Sequence, residues 1–293
     1  MFGITELTAA ARLAEMALEE DFGANGDVTT GALIRRDERG SVRIVARQAG
    51  VLAGLPVAKL VFEQFDRDAQ WTTHVEDGSP LQPGTVVAEL SVRARSLLLG
   101  ERTALNFLTH LSGIATLTRR YVDAVAGLQA NIFDTRKTLP GWRVLEKYAV
   151  RCGGGRNHRV GLFDMVLIKD NHLAGWLASG ADHSVATAVR VARSRVASGI
   201  PIEVEVDTLE QLADALSAEP DIVLLDNMDP ARLRQAVEMR NRVAPRVELE
   251  ASGGVSLNTV AEIARTGVER ISVGALTHSA PALDLAFDWK TSK

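Results

Sequence analysis

The sequence predicts an α/β protein, with a small sheet-rich region first and a barrel of parallel strands after it. Three observations carry this. From residue 131 onward, strand-like apolar runs alternate with helix-like segments, roughly every 20–30 residues, which is the pattern of parallel strands joined by crossover helices. Nearly every run ends in a polar or small residue: Asp134, Lys169, Glu205, Asp226, Ser252 and Gly274. Glu203 and Glu205 share one strand face, as do Glu248, Glu250 and Ser252, because side chains alternate along a strand. An open doubly wound sheet is the competing closure, but its faces are covered by apolar helices. Inward carboxylates suit the mouth of a barrel, where strand C-termini carry the site.

The elements follow in order. Leu7, Ala10, Ala11, Ala14 and Leu18 recur at helical spacing, with Thr5 or Thr8 as the expected cap. A Gly- and Asp-rich turn, DFGANGDVTT, follows. SVRIVARQAGVLAG and TVVAELSVRA alternate apolar and polar residues and read as strands. A long helix is expected over 96–120, with Gly113 as a break point and the domain boundary beside it. The expected domains are therefore 1–112 and 113–276. Strands are expected at 131–135, 164–169, 201–206, 221–226, 247–252 and 270–275. Helices are expected at 183–197, 208–217, 230–241 and 256–266.

Composition narrows the function. The chain has 293 residues, 46% of them hydrophobic and 24% charged, as in ordinary folded proteins. A net charge of −4 argues against a nucleic-acid binder, which needs a basic surface. The single cysteine, Cys152, excludes an intrachain disulfide and a thiolate zinc cage. No window approaches the apolar length of a spanning helix, and the amino end lacks the basic start of a secretory signal. No membrane partner and a cytoplasmic location are the expectations.

One segment departs from the acidic background. Residues 134–172 hold eight Lys and Arg against four Asp and Glu, so the segment is basic in an acidic chain. Such an island suggests a polyanionic ligand. Arginine suits carboxylates and phosphates because its planar fork makes two parallel hydrogen bonds. Lys169 closes the apolar run MVLIK, and a Lys there needs a partner such as Glu205, Asp226 or Glu250. It could bind an anion, form a Schiff base or serve only in an ion-pair network. The small residues of SGGV (252–255) and VGAL (273–276) follow the last two strands, where such barrels cradle phosphate. His74, His110 and His183 read as surface or helix residues, Cys152 as structural, and Trp142, Trp176 and Trp289 as core or interface. His172 either positions Lys169 or packs.

In their order along the chain, ERTALNFLTHLSGIAT, DTRKTLPG, LEKYAVRCGGGRNHRVGLFDMVLIKDNH, EVEVDTLEQL, IVLLDNM and LEASGGV resemble the quinolinate phosphoribosyltransferase family. The resemblance covers almost the whole chain. Leu139 and Trp142 depart from it, where Thr and Leu are expected. It implies an N-terminal sandwich-like α+β domain, joined by the tail 277–293, and a C-terminal incomplete TIM-like α/β barrel. It implies conversion of quinolinate and phosphoribosyl pyrophosphate to nicotinate mononucleotide, pyrophosphate and carbon dioxide, a step of NAD biosynthesis. It further implies a homodimer, with higher assembly left open, in which Arg102 reaches the neighbour's site. On this resemblance Arg136, His158, Arg159 and Lys169 bind quinolinate with Arg102, and Thr135 joins the substrate-binding set. Ser252, Gly253, Gly254, Gly274 and His278 hold the phosphate. Lys137 and Lys169 face the pyrophosphate, with Mg²⁺ bridging it, and Glu205 and Asp226 take the ribose hydroxyls. The rivals are a relative with another acceptor, such as nicotinate, a Schiff-base lyase using Lys169, and a catalytically silent phosphosugar-binding protein.

Overall fold

The computed structural model describes residues 2–177 and 184–290, so His183 lies outside the described residues. Along the chain, helices α1 (Ile4–Phe22) and α2 (Val28–Leu33) lead to strands β1 (Arg39–Ala46) and β2 (Gly50–Val51). Helix α3 (Leu55–Glu63), strands β3 (Gln70–Thr73), β4 (Pro80–Leu81) and β5 (Val86–Arg93), and the long helix α4 (Ala94–Ala124) follow. Next come β6 (Asn131–Phe133), α5 (Arg143–Cys152), β7 (Val166–Ile168), α6 (Asp170–Leu177) and α7 (Val185–Arg195). The last elements are β8 (Ile202–Val206), α8 (Leu209–Leu216), β9 (Ile222–Asp226), α9 (Pro230–Val243), β10 (Glu248–Ser252), α10 (Val260–Ala264), β11 (Arg270–Ser272), α11 (Ala275–His278) and β12 (Leu285–Trp289). No helix among the described residues is long and apolar enough to cross a membrane.

The chain divides into two compact units. The first comprises Met1–Arg119, Lys137–Gly154 and Ala275–Lys293. Its antiparallel sheet has the order β12-β1-β5-β3. Val42 pairs with Leu90 and Ile44 with Ala88, and all four are fully buried, so one sheet face forms the core. Phe62 of α3 packs its ring against Trp71 and Phe287. Helix α3 is absent from the sequence expectation because Leu55, Val57, Ala58, Leu60, Val61 and Phe62 are all buried. A run that is apolar all round carries no period to distinguish helix from strand. Helix α1 starts at Gly3 rather than at either threonine, since the Glu6 carboxylate accepts from the Gly3 N–H at 2.9 Å.

Gly113 does not break α4. The helix runs through it, and a Cβ there would overlap the Pro281 carbonyl. The glycine serves close packing, not termination. Gly113→Ala is expected to cost about 1–3 kcal/mol, as overpacking does, read as a lower urea midpoint. The expected boundary at 112/113 thus falls inside a continuous helix. Residues 137–154 belong to the first unit because α5 packs on α1: Arg151 pairs with Glu6 at 2.6 Å, and the Tyr148 and Phe2 rings meet edge-on.

The second unit comprises Arg120–Arg136 and Gly155–Gly274. Its six strands are parallel in the order β6-β11-β10-β9-β8-β7. The helices α7, α8, α9 and α10 fall between successive strands as the sequence period requires. Among the described residues six strands stand where a full barrel has eight, so the barrel is incomplete. Ile202, Val204, Val206, Val223, Leu225, Leu249 and Ile271 occupy one face and are nearly fully buried. The alternate face holds Glu203, Glu205, Asp226, Glu250, Ser252 and Arg270. Registers Glu205↔Leu224, Leu224↔Glu250, Ser252↔Asp226 and Glu250↔Arg270 keep these residues on one side. The polar interior therefore follows directly from alternation.

Candidate active site

Four expected site residues pair off at the strand ends. Lys169, just beyond β7, forms an ion pair with Glu205 on β8. Asp226 ends β9 in register with Ser252 on β10. Asn227 adopts a positive φ of 53°, and its amide donates to Asp226 Oδ2 at 2.6 Å. The Asn227 side chain fills the space a Cβ on Gly253 would need, and Gly253 itself stands at φ 91°. Gly254 follows at φ 59°, so the Ser252–Gly253–Gly254 turn exposes bare backbone next to Asp226.

The part of the basic segment that lies in this unit is organised by one buried carboxylate. Asp134 is fully buried and accepts from Asn157 Nδ2 at 2.6 Å and from the His158 N–H at 2.8 Å. Alongside it, the Arg156 N–H donates to the Ile132 carbonyl at 2.8 Å and the Asp134 N–H to the Arg156 carbonyl at 3.1 Å. Residues 155–158 thus run beside β6 as an added edge. This fold-back carries Arg159 into the surroundings of Arg136. Burial pushes the Arg159 pKa down, and the charge of Arg136 pushes it further. The charges of Glu203 and Asp164 act the other way. Sequence reasoning missed Asp134 as the organiser, although its position at a strand end was visible.

Beneath the strand ends lies a buried network. His158 Nε2 is 2.9 Å from Glu203 Oε2 and 3.4 Å from Glu250 Oε1. Arg270 Nε donates to Glu250 Oε2 at 2.6 Å, and its guanidinium covers the Phe133 ring at 3.8 Å. Burial raises the Glu203 pKa, and the neighbouring Glu250 charge adds to it. Burial acts on Glu250 too, but His158 and Arg270 hold its pKa below the usual range. Burial works against the His158 cation, yet the two carboxylates outweigh it and carry its pKa up to about 9. The Arg159 N–H opposes that charge, because it donates to Nδ1 at 2.7 Å and leaves no room for a proton there. In this conformation Nε2 faces the two carboxylates. By distance alone His158, Glu203 and Glu250 could hold a metal ion. With Arg270 beside them, the three form a buried charged network.

The sequence matches the family models for the quinolinate phosphoribosyl transferase N-terminal domain over residues 27–112 and C-terminal domain over residues 114–288. The chain belongs to the quinolinate phosphoribosyltransferase family. Among its relatives, the nicotinate-nucleotide pyrophosphorylase (carboxylating) of Mycobacterium leprae is 47% identical over 290 residues, covering 98% of this chain and 100% of the relative. A probable enzyme of that name from Bacillus subtilis is 42% identical, covering 92% and 89%. The solved nicotinate-nucleotide pyrophosphorylase of Francisella tularensis superposes with a TM-score of 0.88 at 38% identity, covering 97% and 96%. NadC from Streptococcus pyogenes gives 0.87 at 40% identity, covering 94% of each chain.

Among the residues that the family resemblance singles out, Thr135, Arg136, His158, Arg159, Lys169, Glu205, Asp226, Ser252, Gly253, Gly254 and Gly274 lie in the barrel unit. Arg102, Lys137 and His278 lie in the first unit, and all three are exposed. Both ring nitrogens of His158 face protein groups, Nδ1 the Arg159 N–H and Nε2 the two glutamates. His172 accepts from the Lys169 N–H at 3.0 Å. Burial drives the Cys152 thiol up to about 11, which suits a structural residue.

Proposed function

We propose that the protein transfers phosphoribosyl from phosphoribosyl pyrophosphate to quinolinate with decarboxylation, giving nicotinate mononucleotide, pyrophosphate and carbon dioxide. Membership of the family and the names of its relatives support the reaction. One observation supports the acceptor: Arg136 and Arg159 lie in the same unit as Lys169, which pairs with Glu205 at the strand ends. A pyridine with two carboxylates suits that set of cations.

The chemistry needs no protein nucleophile. The bond from ribose C1 to the pyrophosphate oxygen breaks, the electron pair leaves with pyrophosphate, and positive charge develops on the sugar. Glu205 and Asp226 stabilise that charge and accept from the ribose hydroxyls. Lys137 and Lys169 stabilise the leaving group. The pyridine nitrogen lone pair then bonds to C1. Its quaternary charge lets the adjacent carboxylate leave as carbon dioxide, and the electron pair left at C2 takes up a proton. Ser252, Gly253, Gly254, Gly274 and His278 hold the 5′-phosphate. Glu205 and Asp226 are hard oxygen donors of the kind Mg²⁺ takes, and the metal, when bound, neutralises pyrophosphate charge.

The protein acts as a homodimer in the cytoplasm, with Arg102 completing the partner's acceptor site. Leu162 and Phe163 support an assembled state, since they are 73% and 76% exposed on one apolar loop. The assay is release of labelled carbon dioxide from quinolinate, with nicotinate as the competing acceptor. Turnover that requires quinolinate, phosphoribosyl pyrophosphate and Mg²⁺ is expected. Equal or better use of nicotinate would reject the acceptor assignment.

A further inference from the structure

Lys137 stands on an exposed loop, yet that loop is tied down within its own unit. The Thr277 hydroxyl donates to the Lys137 carbonyl at 2.7 Å. Arg143 Nε donates to Thr138 Oγ1 at 3.1 Å. Two residues on, the Leu139 N–H donates to Glu146 Oε2 at 3.2 Å. Glu146 is a fully buried carboxylate on α5. Its other oxygen lies 2.9 Å from His110 Nε2 on α4. A carboxylate only accepts, so that imidazole nitrogen is the donor. Trp142 closes the loop, stacked on Phe107 at 4.8 Å and edge-on to His110 at 5.2 Å.

Burying a carboxylate is costly unless both oxygens are engaged. Glu146 engages one with a helix-borne imidazole and the other with the backbone of the loop carrying Lys137. We propose that Glu146, held by His110, is a positioning residue that aims Lys137 at the leaving pyrophosphate. The Glu146–His110 pair supports the donor side of the reaction, and the His158 network supports the acceptor side. This rests on the reading of Lys137 given above, so Lys137→Ala serves as the reference variant.

The test uses the full chain and steady-state kinetics with each substrate varied in turn, after thermal unfolding has confirmed that each variant folds. Glu146→Gln presents a donor where an acceptor is needed, and His110→Leu removes the imidazole. Each is expected to raise the KM for phosphoribosyl pyrophosphate about tenfold, the size of one charge-assisted hydrogen bond. The KM for quinolinate is expected to stay within about twofold, because the lost binding is confined to one substrate. His110→Gln keeps a donor and is expected to recover most of the loss. An unchanged KM for phosphoribosyl pyrophosphate in both variants would overturn the proposal. Equal rises for both substrates with no recovery in His110→Gln would also overturn it, since that is general loosening. If Lys137→Ala leaves the KM for phosphoribosyl pyrophosphate unchanged, the reading of Lys137 fails and the proposal falls with it.

Discussion

Lys169→Ala is expected to lower turnover by about 10²–10³-fold, the usual loss when one preorganised charge is removed from a developing anion. The protein should still fold. Lys169 lies at a strand end with its side chain 42% exposed, so its removal leaves no sealed cavity. The loss should appear in kcat more than in stability, because the ammonium balances charge on the pyrophosphate as the sugar bond breaks. Thermal unfolding alongside single-turnover kinetics separates the two. Near-native turnover in a folded variant would remove Lys169 from the mechanism.

Arg270→Met should act in the opposite way, on stability first. Arg270 is the guanidinium that compensates Glu250 inside the barrel, and its side chain is only 11% exposed. Without it two buried glutamates face a single imidazole. Breaking a buried pair by removing one partner costs about 3–5 kcal/mol, because the other charge stays buried. The methionine fills part of the volume over Phe133 but offers no donor. Urea denaturation should show the loss as a lower midpoint with an unchanged slope. A change below about 1 kcal/mol, the level of an exposed pair, would mean that the network is hydrated or carries its charge differently.

The barrel strands were legible because each is an apolar run closed by a polar residue, and Glu205 was one of three partners that reading offered Lys169. The network beneath them was not. Glu203 and Glu250 were visible as inward residues, but His158 reaches them only because Asp134 folds residues 155–158 back along β6. No local spacing encodes that return. Helix α5 was hidden for a related reason: Glu146 and Lys147 are charged yet almost completely buried, so no apolar period marked the stretch within the basic segment. His110 looked bland because its partner lies 36 positions away in sequence. Gly113 suggested a break by propensity, whereas tertiary packing against Pro281 decided its use.

The most direct test is a crystal structure with quinolinate and a non-transferable analogue of phosphoribosyl pyrophosphate bound together. The account predicts the two carboxylates at Arg136, Arg159 and Lys169, with the ribose hydroxyls on Glu205 and Asp226. Density for both compounds away from those residues, or an acceptor lying clear of the two arginines, would contradict it.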